Sequence, residues 1–278
     1  MSDESGFQVP PGMVVITTYG SVRAETAQAY LAMQARAIKM GLNNIDFRFV
    51  IGTLVDKARN DAVKEMLIKE NPKFEYLWFL DADMAFAPDL LDVMLKTAYD
   101  TSKEFDIIGG WCALRGKPYL PTIDTGTGTW EPHMAGQGPV EVIRTGGACV
   151  LIKRHVFERM EYPWFGVRAA PRAIDMMAEV DGYARQKFDG ENPFWGEKWE
   201  QLMGCAQADA KPLTPANINA VGEDSNFTDK AKALGFRIIV QTNAVCGHID
   251  KMIIWPQDHA DEMKKVAASE RKASGILE

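Results

Sequence analysis

Residues 76–83 read Tyr76-Leu77-Trp78-Phe79-Leu80-Asp81-Ala82-Asp83, an apolar run that leads directly into two carboxylates. A run of this length predicts a strand buried on both faces of a parallel sheet. Open α/β sheets form their binding sites at the carboxyl ends of such strands. Because residues i and i+2 of an extended chain point to the same side, we expect Asp81 and Asp83 to face one ligand.

This Asp-x-Asp (DxD) motif has two interpretations. Two carboxylates in an apolar setting repel each other unless a cation neutralises them, which favours a metal site. The pair can also be a loop carboxylate followed by a helix N-cap, and on spacing alone this second interpretation is the more common one. The other motifs of the chain are therefore needed to distinguish these two interpretations.

On either side, strand-like runs alternate with amphipathic stretches, which is the pattern of a parallel sheet covered by helices. We predict strands at 13–17, 47–51, 76–80, 105–108, 148–152 and 236–240. We predict helices at 22–40, 54–70, from Pro88 onward, at 155–160, at 222–234 and in a polar tail at 257–278. These elements predict one α/β domain spanning residues 1–278.

Two parts of the chain break this alternation. Gly, Pro and Thr are frequent between residues 110 and 139, so we predict a loop or short hairpin there. Residues 161–219 have no sustained period. We predict that this second part is an insertion in the domain.

The composition is that of an ordinary globular protein, with 46% hydrophobic and 25% charged residues in a chain of 278. A formal charge of −7 gives no general attraction to nucleic acid or anionic membranes. The four cysteines include no Cys-x-x-Cys pair, which predicts reduced thiols. No apolar run approaches the ~18 residues of a membrane span, and residues 1–12 lack the pattern of a secretion signal. We therefore predict a cytoplasmic protein without a membrane anchor.

Three further polar groups lie near the ends of predicted elements. Arg59 is in the second helix, Glu223-Asp224 opens a later helix, and His248 follows the last predicted strand. Taken singly, each has an ordinary interpretation. Arg59 could form a surface salt bridge, the acidic pair is favoured by the dipole of its helix, and His248 could be a core histidine.

Taken in order, these motifs resemble the GT-A-fold glycosyltransferases of the family-2-like kind. The matching stretches span residues 13–250, and the ordered set is specific although no member is. They are Val15-Ile16-Thr17-Thr18-Tyr19-Gly20, Leu54-Val55-Asp56-Lys57-Ala58-Arg59-Asn60, Trp78-Phe79-Leu80-Asp81-Ala82-Asp83, Asp106-Ile107-Ile108-Gly109-Gly110, Thr145-Gly146-Gly147-Ala148-Cys149-Val150-Leu151-Ile152, Gly222-Glu223-Asp224 and Gly247-His248. The resemblance implies a Rossmann-like mixed sheet flanked by helices, which binds a nucleotide-diphosphate sugar.

On the donor side, the resemblance implies that Thr17, Thr18 and Tyr19 line the nucleotide base and ribose. It implies that Arg59 lies near the base or the diphosphate, and that Asp81 meets the ribose as well as a metal ion. The implied donor is a sugar nucleotide of the UDP or GDP type.

The metal ion implied by the resemblance is held by Asp81, Asp83 and His248. A nucleotide diphosphate leaves readily only when a cation meets its growing negative charge. Mg²⁺ or Mn²⁺, bound through carboxylates and phosphate oxygens, supplies that charge. An imidazole among the ligands favours Mn²⁺.

On the acceptor side, where we place the insertion at 161–219, the resemblance implies a general base in the Glu223-Asp224 pair, with Asp224 the first candidate. This base removes the proton of an acceptor hydroxyl as the hydroxyl attacks, and its place at a helix start keeps it ionised. Gly146 and Gly147 would let the acceptor approach the backbone closely. Sugar rings stack well on indoles, and Trp111, which follows two glycines, is the tryptophan that we expect to touch the substrate.

We therefore predict a metal-dependent, inverting glycosyltransferase whose acceptor is a glycan, a protein or a modified nucleic-acid base. Two alternatives are a sugar-nucleotide nucleotidyltransferase and a non-catalytic module that binds nucleotide sugars or glycans. The first requires a glycine-rich, lysine-containing phosphate loop after the first strand, and residues 17–23 lack one. The second should lack one of Asp81, Asp83, Asp224 and His248, all of which are present. A small chain of this kind, predicted to have no membrane anchor, could also be encoded by a phage and act in the cytoplasm of its host.

Overall fold

The computed structural model describes residues 8–18, 20–52, 54–69, 74–99, 104–166, 222–250 and 253–273. Tyr19 and residues 167–219 of the predicted insertion lie outside these ranges. What the sequence predicts for them, and for the domain boundaries, stays a prediction.

A central sheet organises the described part of the chain. The strands are β1 (Gly12–Thr18), β2 (Ile45–Ile51), β3 (Tyr76–Asp81), β4 (Met84–Phe86), β5 (Ile107–Cys112), β6 (Ile123–Asp124), β7 (Pro139–Val142), β8 (Arg144–Thr145), β9 (Cys149–Lys153), β10 (Ile238–Ile249) and β11 (Ile253–Ile254). The sheet follows the order β11-β10-β5-β9-β3-β1-β2, while β4 and β7 also pair with β10. β6 and β8 pair separately with each other.

Strand direction makes this a mixed sheet. β1 lies between β2 and β3 and is parallel to both. β5 and β10 are parallel as well, whereas β9 runs antiparallel between β3 and β5. All seven residues of β1 are buried, as expected for a strand inside a sheet that is covered on both faces.

Helices supply that cover. In chain order they are α1 (Ala24–Lys39), α2 (Val55–Lys64), α3 (Leu90–Tyr99), α4 (Arg154–Arg159), α5 (Glu223–Ala233) and α6 (Pro256–Ala273). Apolar residues of α1 and α3 pack against one face of the sheet, and those of α2, α4 and α5 pack against the other. Side chains of β1 and β3 alternate between these two cores. The predicted α/β sheet flanked by helices is therefore confirmed.

The last strand is longer than the sequence indicates. The strand predicted at 236–240 corresponds to the start of β10. β10 begins at Ile238 and continues to Ile249, with a register shift between Gln241 and Val245. Its second half pairs with the short antiparallel strand β4. His248 thus lies inside β10, because pairing with β4 extends the strand beyond the apolar run.

Two further properties bear on the expected compartment. No helix in the described ranges is long and apolar enough to cross a membrane. Cys112, Cys149 and Cys246 are buried free thiols, and Cys205 lies outside the described residues.

Candidate active site

A cavity of about 660 Å³ opens where β1 and β3 end. It gathers most of the residues that the sequence singles out, although they come from distant parts of the chain. The predicted residues in its lining are Thr17, Thr18, Arg59, Asp81, Asp83, Gly146, Gly147, Glu223, Asp224 and His248. The carboxyl ends of the parallel strands thus form the site, as expected for an open α/β sheet.

Arg59 lies at the base of this cavity and is nearly inaccessible, with 2% of its side chain exposed. Its Nη2 donates to Asp81 Oδ1 at 2.9 Å, and its Nη1 donates to Glu223 Oε1 at 2.8 Å across 164 residues of sequence. Burial alone would lower the pKa of the guanidinium, but these carboxylates hold that pKa above its usual range. Arg59 therefore stays charged and joins the end of β3 to the start of α5.

The two aspartates of the DxD motif have different partners. β3 ends at Asp81, and Ala82 and Asp83 form a turn before β4. The alternation of an extended strand therefore stops at Asp81. Asp81 accepts hydrogen bonds from Arg59 and, at 3.4 Å, from Thr17 Oγ1, whereas Asp83 faces His248. Both carboxylates nevertheless line the same cavity, so the expectation that they face one ligand stays a prediction.

Asp83 and His248 have the chemistry of two metal ligands. The His248 Nε2 lies 3.6 Å from Asp83 Oδ1, and its Nδ1 lies 2.9 Å from the carbonyl oxygen of Ala113. Because a carbonyl only accepts, Nδ1 carries the hydrogen, and the Nε2 lone pair accepts a hydrogen bond from Arg115 Nε. A metal-binding imidazole is oriented in this way. The two residues would suit a first-row cation, with phosphate oxygens and water as its further ligands.

The predicted three-residue metal set does not form. Within the described ranges, no group of three His, Cys, Asp or Glu side chains is arranged to hold a metal ion. The Asp81 carboxylate is engaged by its ion pair with Arg59. Asp83 and His248 are the two members of the predicted set that face each other, and metal binding by them stays a prediction.

Arg115 is a site residue that the sequence does not predict. It follows β5, and its Nε donates to His248 Nε2 at 3.0 Å, while its Nη2 contacts the Asp83 carboxylate. Its side chain remains 56% exposed. A lone arginine in a polar loop carries no sequence signal that separates it from a surface residue, so only the fold reveals its position.

Gly146 and Gly147 line the cavity for a different reason from the one predicted. A Cβ on Gly147 would lie 2.3 Å from Arg59 Nη1, and one on Gly146 would lie 2.9 Å from Thr122 Cγ2. Protein atoms already fill the space that the missing side chains leave. These glycines are required by internal packing, so a close approach of the acceptor is not needed to explain them.

Glu223 and Asp224 stand side by side in the first turn of α5 and differ in their surroundings. Burial raises the pKa of Glu223, and the charge of Asp224 adds to this rise while Arg59 opposes it. Asp224 accepts the backbone N–H of Gly147 at 3.2 Å and that of Ser225 at 2.7 Å. Among the described residues Asp224 forms no ion pair, and its side chain lines the cavity.

The expected contact between Trp111 and the substrate is wrong. Trp111 lies within β5, is completely buried and belongs to the core. Its indole N–H donates to the carbonyl of His133 at 2.8 Å. The residue falls inside β5 because this strand extends to Cys112, four residues beyond its predicted end.

The mixed sheet with helices on both faces is the predicted GT-A class of α/β fold. No protein-family model matches the sequence, and no curated protein does either. The crystal structure of A197 from STIV is similar over 89% of this chain and 91% of that one, with a TM-score of 0.52 and 18% identity. At this identity, the likeness establishes the fold alone.

Two other solved structures are more distantly similar. GalNAc-T7 with UDP, GalNAc and Mn²⁺ matches 87% of this chain and 43% of its own, with a TM-score of 0.48 and 10% identity. The catalytic domain of Drosophila β1,4-galactosyltransferase 7, in complex with xylobiose, matches 86% of this chain and 71% of its own, with a TM-score of 0.39 and 14% identity. This chain therefore spans less than half the length of the GalNAc-T7 chain.

Proposed function

We propose that this protein is a glycosyltransferase that takes a sugar from a nucleotide-diphosphate donor with the help of a divalent cation. The supporting observation is the convergence, in one cavity of about 660 Å³, of a ligand pair and a carboxylate without an ion pair among the described residues. The ligand pair is Asp83 and His248, and the carboxylate is Asp224. The cavity also has the volume of a small-molecule site.

The donor would lie along the ends of β1 and β3. Thr17 and Thr18 would contact the nucleoside, and the ion-paired Asp81 would accept a hydrogen bond from the ribose. Asp83 and His248 would hold Mn²⁺ or Mg²⁺, which neutralises the charge that grows on the diphosphate as it leaves. Arg59 would hold Asp81 in position from the base of the cavity, because it is itself fixed by ion pairs with Asp81 and Glu223.

The transfer itself would be a single displacement. An acceptor hydroxyl loses its proton to Asp224 and forms the new C–O bond at the anomeric carbon. The bond from that carbon to the diphosphate breaks, and its electron pair stays on the phosphate oxygen. One displacement inverts the configuration at this carbon. The acceptor would be a glycan, a protein or a modified nucleic-acid base.

Ligand-dependent thermal stability tests the proposal. UDP and GDP are compared with either Mn²⁺ or EDTA present, for the wild-type protein and for Asp83→Ala. At saturating concentrations we expect one nucleotide to raise the Tm by about 5 °C with Mn²⁺, and far less with EDTA or in Asp83→Ala. Asp61→Ala, which removes a carboxylate outside the cavity, is the matched control and should respond like the wild-type protein.

Product analysis separates the proposal from its alternatives. A glycosyltransferase releases nucleoside diphosphate from a sugar nucleotide, whereas a nucleotidyltransferase makes sugar nucleotide from nucleoside triphosphate and sugar phosphate. A binding module gives the thermal shift without turnover. Equal thermal shifts with Mn²⁺ and EDTA would remove the cation from the proposal.

A further inference from the structure

The loop that carries Arg115 is held firmly at its base. Ala113 and Pro121 form a β-bridge, and the N–H of Leu114 donates to the carbonyl of Leu120 at 2.9 Å. On the outer side of the loop, Lys117 Nζ lies 3.2 Å from the Glu262 carboxylate of α6. Because the backbone of the loop is anchored, the Arg115 guanidinium would change its position by rotation of the side chain and not by movement of the loop.

The Arg115 guanidinium occupies the place where a cation would bind. It contacts the Asp83 carboxylate, and its Nε donates to His248 Nε2 at 3.0 Å. The lone pairs that it engages are those that would ligate a metal ion. An arginine cannot lose its proton in a protein, so the guanidinium and a divalent cation compete for the same two residues.

We propose that Arg115 is the counter-ion of Asp83 and His248 before the donor binds, and that the incoming cation displaces it onto the donor diphosphate. The first half of this proposal, that Arg115 is the counter-ion, concerns only Arg115, Asp83 and His248. The second half, the displacement onto the diphosphate, rests on the proposed function. The Arg115 side chain is 56% exposed, and exposed ion pairs contribute little net stability, so displacement costs little. Its planar fork matches two phosphate oxygens as well as it matches a carboxylate.

Mn²⁺ alone is the first probe, since it requires neither donor nor activity. Binding is measured through the EPR signal of free Mn²⁺ for the wild-type protein, Arg115→Ala and Arg115→Lys. Removing a unit charge ~4 Å from the cation should tighten binding by about fivefold or more in Arg115→Ala. Arg115→Lys keeps the charge but loses the Nε donor to His248, so we expect an intermediate affinity.

Two further variants control the measurement. Lys117→Ala removes a positive charge from the same loop but from outside the cavity, and should change Mn²⁺ affinity less than twofold. The double variant Asp83→Ala with Arg115→Ala should lose the gain in affinity. Unchanged or weaker Mn²⁺ binding in Arg115→Ala, or a gain that persists without Asp83, would overturn the proposal.

Nucleotide binding is the second probe. With saturating Mn²⁺, Arg115→Ala should bind the nucleoside diphosphate that stabilises the wild-type protein about tenfold more weakly, because one charge-assisted contact is lost. The substitution thus has opposite effects on the metal alone and on the metal–nucleotide complex. Unchanged nucleotide affinity would overturn the second half. A wild-type protein that binds Mn²⁺ but no nucleotide would instead contradict the proposed function, and the Mn²⁺ measurements would still decide the first half.

Discussion

At the residue scale, Glu223 and Asp224 show how neighbours in sequence can have separate tasks. The Glu223 carboxylate is committed to the buried Arg59 at 2.8 Å. Asp224 is held by two backbone N–H groups, which orient the carboxylate but leave it accessible from the cavity. This difference supports the proposed reaction, in which Glu223 stabilises the site and Asp224 accepts the proton.

Asp224→Asn tests this division. The amide oxygen can still accept the N–H of Gly147, so we expect nucleotide affinity to change less than about twofold, while sugar transfer falls roughly a hundredfold or more. Glu223→Gln should instead lower the free energy of unfolding by about 1–2 kcal/mol, because Arg59 loses a charged partner in a mostly buried place. Turnover, nucleotide affinity and urea denaturation are measured for both variants. Wild-type transfer by Asp224→Asn would move the role of base to Glu223.

At the scale of elements, two buried tyrosines tie helices to the sheet in different ways. Tyr30 of α1 donates to the carbonyl of Val14 at 2.7 Å, and its hydroxyl lies 2.9 Å from the carbonyl of Arg48. It thereby joins α1 to both β1 and β2. Tyr76 of β3 packs 5.8 Å from the ring of Tyr99 in α3, and its buried hydroxyl has no partner among the described residues. One hydroxyl connects elements, and the other is only buried.

Phenylalanine substitutions separate these two cases. Tyr30→Phe removes the hydroxyl that donates to the buried carbonyl of Val14, so we expect the free energy of unfolding to fall by about 1–2 kcal/mol. Tyr76→Phe removes a buried polar group that makes no hydrogen bond and should be neutral or stabilising by up to about 1 kcal/mol. Urea denaturation of the two variants provides the comparison, each serving as the control for the other. An equal loss in both would mean that ring packing, not the hydroxyl, determines these values.

At the scale of the whole molecule, α6 closes over the side of the sheet that carries the Arg115 loop. His259 of α6 is completely buried, with its ring 5.9 Å from that of Trp111. Lys117 of the loop pairs with Glu262 one turn further along the helix. The C-terminal helix thus supports the loop whose arginine reaches the Asp83–His248 pair.

His259 makes the packing of α6 against the sheet sensitive to pH. Burial lowers the pKa of His259 in the folded protein, against a smaller opposing effect of the Pro118 and Tyr119 backbone. The unfolded chain therefore takes up the proton first, near its ordinary pKa of 6.5. The buried, neutral His259 therefore contributes its full stability above that pH. This contribution is lost as the pH falls below it, towards the folded-state pKa.

His259→Gln should remove this dependence. Below pH 6.5 we expect the wild-type free energy of unfolding to fall more steeply than that of the variant. The difference in slope should be at most about 1.4 kcal/mol per pH unit, which corresponds to one proton. Urea denaturation between pH 7.5 and 5 measures both slopes, and the shared acidic groups cancel in the comparison. Parallel slopes would show that His259 takes up its proton equally in both states.

Much of the architecture could be predicted from the sequence, because burial and periodicity are local properties of a chain. Apolar runs mark β1, β3 and β9 within one residue, since a strand covered on both faces needs uninterrupted apolar residues. The edge strand β2 begins two residues before its predicted start, because Asp46 interrupts its apolar run. The position of the site at the end of β3 also follows locally, because polar residues that succeed a buried strand must emerge at its carboxyl end.

The partners of the polar side chains were decided only by the tertiary structure. Asp81 and Asp83 part because the chain turns between them, and Arg59 meets Glu223 because α2 and α5 pack on the same face of the sheet. Arg115 reaches Asp83 only because β5 and β4 are both neighbours of β10. Ion pairs form between groups that the strand order brings together, and neither spacing nor residue type encodes that order.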